Sequence, residues 1–164
     1  MVFRIAAARP QDAGIVLDLV RQLAEYEKLS HLVVATEDQV RDELFAPRPV
    51  IECALGWEGD GAGAQAVGFA LYFHNFSTFL ARRGIYLEDL FVVPAARGRG
   101  YGKALLRHVA RLALERECGR FEWSVLDWNQ PAIDFYRAMG AQVLPDWRIC
   151  RVTGDALAQL GADA

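Results

Sequence analysis

The chain has 164 residues, of which 53% are apolar and 24% charged, and a formal net charge of -3. That length suits one domain, residues 1–164, with a real core, and the composition is that of a soluble globular protein. The slight acidity argues against a nucleic-acid-binding surface spread over the molecule; no apolar run is long enough to cross a membrane, and Met1-Val2-Phe3-Arg4 does not open a secretory signal.

Phe3 to Ala7 reads as a strand that Arg9-Pro10 ends, and Pro10 suits a helix start. Ile15, Leu19, Leu23 and Tyr26 fall at helical spacing within 12–26. Thr36 and Gln39 form a capping-box pattern for a second helix reaching Phe45, which Pro47 and Pro49 stop. Residues 50–57 and 66–74 read as two strands of a hairpin across a glycine-rich loop. Residues 75–84 read as a longer connection, and 85–93 as the next strand, closed by Pro94. A helix beginning near Gly100 turns Leu105, Val109 and Leu112 to one face and Arg107, Arg111 and Arg116 away. A strand over 121–126 follows, then a helix opened by Asn129-Gln130-Pro131 and ended by Gly140. Val143 and 147–152 supply the last strand material, and the tail 161–164 is expected to fray.

The most telling segment is Arg97-Gly98-Arg99-Gly100-Tyr101-Gly102-Lys103, set between an apolar strand and an amphipathic helix. Glycines admit close approach of an anion, and the first turn of a helix offers unpaired N–H donors and a positive dipole end. A dinucleotide fingerprint starting at Gly98 would need Gly or Ala where Lys103 stands. A P-loop ending at Gly102-Lys103 would need Gly at 97 and Ser or Thr at 104, where the chain has Arg97 and Ala104. Arg97-x-x-Gly100-x-Gly102 remains, either as a pyrophosphate cradle or as an ordinary glycine-rich turn.

Glu88-Asp89 interrupts an otherwise apolar strand. Regular pleating gives each face one carboxylate, and burying an ionised carboxylate is costly unless it is paired. The pair is either structural or supplies a base at the floor of a cleft just upstream of the loop. Asn129 sits where a helix cap belongs; Tyr136, two turns on, is either core or a phenol able to donate a proton. Cys53, Cys118 and Cys150 are odd in number and far apart, which suits reduced thiols in a cytoplasm; His31, His74 and His108 lack metal-ligand spacing, so no metal is expected.

Together the loop, the acidic strand and the Asn129…Tyr136 helix resemble the GNAT superfamily, the acetyl-CoA-dependent N-acetyltransferases. Tyr86-Leu87-Glu88-Asp89 and Trp128-Asn129-x-Pro131-x-x-x-Phe135-Tyr136 are similar to the spermidine/spermine and thialysine N-acetyltransferase branch. The resemblance implies an α/β (α+β) fold: a mixed, mostly antiparallel sheet flanked by helices and splayed between the strands at 85–93 and 121–126. It implies acetyl-CoA as cofactor and CoA as product, with Phe91, Val92 and Val93 along the pantetheine arm. Arg97, Gly98, Arg99, Gly100, Tyr101, Gly102 and Lys103 would lie at the pyrophosphate, and Asn129 and Tyr136 near the reactive end. Glu88 would be the base and Tyr136 the acid. Tyr26, Glu27, Phe76, Phe79, Glu88, Asp89 and Asp146 would lie on the acceptor side.

The substrate so implied is a small primary amine, such as a polyamine, a diamine or a lysine-like amino acid, attacking the thioester directly. An alkylammonium of pKa near 10.4 loses about 4.6 kcal/mol on exposing its lone pair at pH 7, and a carboxylate base lowers that obstacle. The segment 75–84 departs from the polyamine enzymes in having no carboxylate and two arginines, Arg82 and Arg83. The branch also implies a homodimer. The alternatives are an acetyl-CoA sensor or scaffold without turnover, against which the presence of both Glu88 and Tyr136 argues, and a protein acetyltransferase.

Overall fold

The computed structural model describes residues 2–162, in two compact units, Met1–Ser124 and Val125–Ala164. The first unit is built on a five-stranded sheet in chain order: β1 (Phe3–Ala7), β2 (Glu52–Glu58), β3 (Gln65–Ser77), β4 (Arg82–Val92) and β5 (Phe121–Trp123). The first four strands are antiparallel, and β5 pairs parallel to β4. Its helices are α1 (Ala13–Tyr26), α2 (Glu37–Phe45) and α3 (Tyr101–Glu115). The second unit holds α4 (Gln130–Ala138) and α5 (Gly154–Ala162).

Local chemistry sets the helix starts. Before α1 a short 3-10 turn begins at Pro10, and the buried Asp12 carboxylate accepts from the Arg9 N–H at 2.9 Å. At α2 the Thr36 hydroxyl accepts from the Gln39 N–H and the Gln39 side chain accepts from the Thr36 N–H, the reciprocal box its sequence promises. Phe69 and Leu71 of β3 bury against Val16 and Leu19 of α1, Leu44 of α2, Leu55 of β2 and Phe91 of β4. Each such fully buried side chain contributes roughly 1.5–3 kcal/mol. Next to Phe69, a Cβ on Gly68 would stand 3.2 Å from Leu105 of α3. Successive strand residues face opposite ways, so α1 and α3 cover opposite faces of the sheet.

Several expectations give way. The connection over 75–84 is instead hairpin: β3 runs to Ser77, β4 starts at Arg82, and only 78–81 turn. The strand expected over 121–126 stops at Trp123, and 147–152 form no strand among the described residues. Of the tail expected to fray, Gly161 and Ala162 close α5, while Asp163 and Ala164 lie outside the described residues. Arg116 does not point away from the sheet. Its guanidinium donates to both oxygens of Glu52, at 2.6 and 2.8 Å, and Nη1 lies 3.0 Å from His74 Nε2. Arginine only donates, so Nε2 accepts and Nδ1 carries the proton that it gives to the Gly84 carbonyl at 2.9 Å.

Candidate active site

Two features of β4 create the site in the first unit. The pairing with β5 covers only Ile85, Tyr86 and Leu87, so β4 runs on through Glu88–Val92 past the last partner on that side. At the same point the register with β3 slips: Leu71 faces Asp89 and Tyr72 faces Leu87, leaving Glu88 as the extra residue of a bulge. The regular alternation assumed for Glu88 and Asp89 is therefore interrupted. Glu88 is exposed, while Asp89 is half-buried and its carboxyl is pushed up to about 7, chiefly by burial and then by the charges of Glu88 and Glu27. Glu27, at the end of α1, is likewise raised by burial.

The 97–103 segment arches from β4 to α3 with Gly98 and Gly100 in the left-handed region, at φ 76° and 82°. A Cβ on either would meet nothing within 4 Å, so their hydrogens face open space. Among the described residues no side chain caps α3, and its hydrogen-bond ladder begins with the Ala104 N–H to the Gly100 carbonyl, at 3.0 Å. The N–H groups of Tyr101, Gly102 and Lys103 precede that ladder, at the positive end of the helix dipole. Such an arrangement can receive an anion mainly through backbone groups.

The loop cations are more occupied than the sequence suggests. Arg97 Nε donates to the Val92 carbonyl at 3.0 Å, and its guanidinium lies 4.4 Å from the Tyr26 ring centroid and 5.5 Å from that of Phe91. Arg99 donates to Glu58 at 2.5 Å and to the Ala95 carbonyl at 3.1 Å. Val93 gives its N–H to the Val67 carbonyl, so strand alternation turns the polar groups of Val92 toward the open edge.

Tyr26, Glu27, Glu88, Asp89, Phe91, Val92 and the loop thus share one region. Phe76 and Phe79 do not. Phe76 pairs with Arg83, five residues or roughly 17 Å along β4 from Glu88, and Phe79 tips the hairpin fully exposed. Asn129, Tyr136 and Asp146 belong to the second unit. There Asn129 is buried as the cap of α4, its Oδ1 accepting from the Ala132 N–H at 3.4 Å. Tyr136 is half-buried with its ring 5.3 Å from that of Phe135, and Asp146 is exposed. Among the described residues no group of His, Cys, Asp or Glu could hold a metal ion, and no helix is long and apolar enough to cross a membrane.

Sequence reasoning missed Glu58. At the end of β2 its largely buried carboxylate receives both Arg99 and the Tyr101 hydroxyl, and Tyr101 stacks on Phe3 with centroids 4.0 Å apart. Nothing in a local window joins residues 3, 58 and 101: strand pairing sets Phe3 beside Glu58, and the packing of the α3 start brings Tyr101 to them.

An open strand edge leads into an uncapped, glycine-bent helix start, an arrangement able to receive an extended ligand that ends in an anion. Residues 17–141 match the profile of the acetyltransferase (GNAT) family. A thialysine N-epsilon-acetyltransferase of Bos taurus is 40% identical over 163 residues, covering 95% of each chain. An L-ornithine N5-acetyltransferase of Arabidopsis thaliana is 35% identical, over 96% of this chain and 87% of its own. Among solved structures, an integron cassette protein from the mobile metagenome of V. cholerae superposes with a TM-score of 0.78 at 25% identity, over 98% of both chains. The chain belongs to the GNAT family and is an acyltransferase; the family's acyl donor is acetyl-CoA.

Proposed function

We propose that this enzyme transfers the acetyl group of acetyl-CoA to the terminal primary amine of a small lysine-like amino acid or diamine, by direct attack in a ternary complex. The observation that carries this reading is the continuity, within one unit, of the open β4 edge, the Glu88 bulge and the uncapped α3 start. The loop fits the donor: bare glycine hydrogens and N–H groups ahead of the helix ladder suit a pyrophosphate, and the outward N–H of Val92, whose carbonyl Arg97 occupies, suits an extended amide-bearing arm. The substrate class rests on the relatives named for thialysine and ornithine, which match along nearly the whole chain. The family match runs through the boundary at 124/125, in keeping with a single domain over 1–164.

When bound, acetyl-CoA supplies an acetyl group activated as a thioester. The exposed Glu88 carboxylate takes the ammonium proton through water, freeing the amine lone pair. The Val92 N–H, on the open edge, would be the donor available to a developing oxyanion. By resemblance to the family, Tyr136 would be the acid for the departing sulfur, and Asn129 would help hold the donor near its reactive end. Tyr26, Glu27 and Asp89 line the acceptor side and attract an ammonium group; Phe76 and Phe79, at the far hairpin end, are not included. The protein is further proposed to be a cytoplasmic homodimer: Leu144, Trp147, Ile149 and Val152 stand exposed in one short segment, and apolar exposure of that kind marks an interface.

The test is thiol release from acetyl-CoA with thialysine, ornithine, lysine, diamines and spermidine. Turnover concentrated on the amino acids is expected. Tight acetyl-CoA binding with no turnover on any amine would replace this reading with a sensor or a protein acetyltransferase.

A further inference from the structure

β2 and α3 are tied together at both ends. The first residue of β2, Glu52, holds Arg116 just past the end of α3, and the last, Glu58, holds Arg99 and Tyr101 at its start. The spans agree: six strand steps cover about 20 Å and fifteen helical steps about 22 Å. The two ties differ in what they restrain. Glu52 holds a helix end remote from the loop. Glu58 holds the only side chain between two left-handed glycines, Gly98 and Gly100, together with the first residue of the helix. Glycines leave a segment many conformations, so an arch bent at two of them needs a tether if its N–H groups are to stay aimed. A carboxylate beside an anion site would itself repel the anion. Here the Tyr101 hydroxyl and then the Arg99 guanidinium engage it and hold its carboxyl below the usual range.

We propose that Glu58 is a positioning residue for the cofactor: by fixing Arg99 and Tyr101 to the sheet it preforms the arch that receives the pyrophosphate. This rests on the reading of that loop as the acetyl-CoA site. The Glu58 carboxylate is taken up by Arg99 and Tyr101, so it acts on affinity for the donor and leaves the chemical step alone. A preformed site spares the ordering entropy that a loose loop gives up on binding.

Glu58→Gln and Glu52→Gln form the matched test, each removing one charge from one tie of the same helix. Acetyl-CoA affinity is measured by calorimetry, kinetic constants by thiol release and stability by thermal unfolding. Glu58→Gln is expected to weaken acetyl-CoA binding tenfold or more, with kcat and the amine KM within twofold of the parent. Glu52→Gln is expected to lower the unfolding temperature comparably while leaving acetyl-CoA affinity within twofold. Tyr101→Phe should weaken binding by itself but add little on top of Glu58→Gln. Unchanged acetyl-CoA affinity in Glu58→Gln, or equal weakening in Glu52→Gln, overturns the proposal while the loop's assignment stands. Failure of the parent protein to bind acetyl-CoA removes that assignment, and the proposal with it.

Discussion

Replacing Asp89 with Asn should make the protein more stable above neutral pH and leave it unchanged in acid. Asp89 is half-buried beside Glu88 and Glu27, and its carboxyl is raised from 3.8 to about 7, with burial the largest cause. Between those two values the folded protein holds a proton that the unfolded chain has released. Stability therefore falls as pH rises from about 4 to about 7, and is level on either side. A rise of that size corresponds to about 4 kcal/mol, an upper figure since water reaches part of the side chain. That is a large share of the 5–15 kcal/mol typical of a folded domain. Asn keeps the shape and cannot ionise. Urea unfolding followed by circular dichroism at pH 4, 5.5, 7 and 8.5 should show the Asp89→Asn advantage growing from near zero to about 2–4 kcal/mol. Parallel profiles for parent and variant would refute the reasoning.

Other predictions follow from single contacts. Tyr136→Phe should lower kcat by at least about tenfold with acetyl-CoA affinity retained, as loss of a general acid does; single-turnover kinetics would reveal unchanged chemistry if Tyr136 plays no such part. Glu117 ends α3 in the left-handed region at φ 54°, with the Cys118 N–H to the Ala113 carbonyl at 2.8 Å and the Glu117 N–H to that of Leu114 at 3.0 Å. Glycine is preferred there, so Glu117→Gly should stabilise by roughly 0.5–1 kcal/mol in chemical denaturation. Gly68→Ala should cost about 1–3 kcal/mol by the same assay, since its Cβ would lie 2.7 Å from the Phe91 carbonyl oxygen, a backbone atom that cannot swing aside.

Where a short-range rule governs, the sequence was easy to read. The Thr36–Gln39 box, the helical spacing before Tyr26 and the glycine-rich start of α3 each involve residues within a turn or two of one another, and all three appear in the fold. The hairpin end was misread because Asn75, Ser77, Arg82 and Arg83 are polar, and polar composition says nothing of the cross-strand pairing that orders them. Residues 147–152 are rich in apolar and β-branched types yet find no strand partner among the described residues. In the candidate site, the glycine-bent start of α3 was legible from its glycines. The engagement of Arg99 with Glu58 was not, because it depends on where a distant strand ends, and that of Arg97 with the Val92 carbonyl, five residues back, depends on how the loop folds over its own strand.

The half-open ladder of β4 has a consequence for the molecule's solution behaviour. A strand that loses its neighbour midway offers a row of backbone groups to any extended chain, including that of another copy. The first residue beyond the last pair is the bulged, charged Glu88, and the next is Asp89. Bulges and charges are how natural edges resist being extended. The acidic pair therefore stands guard over this edge, where a stray strand cannot lie flat.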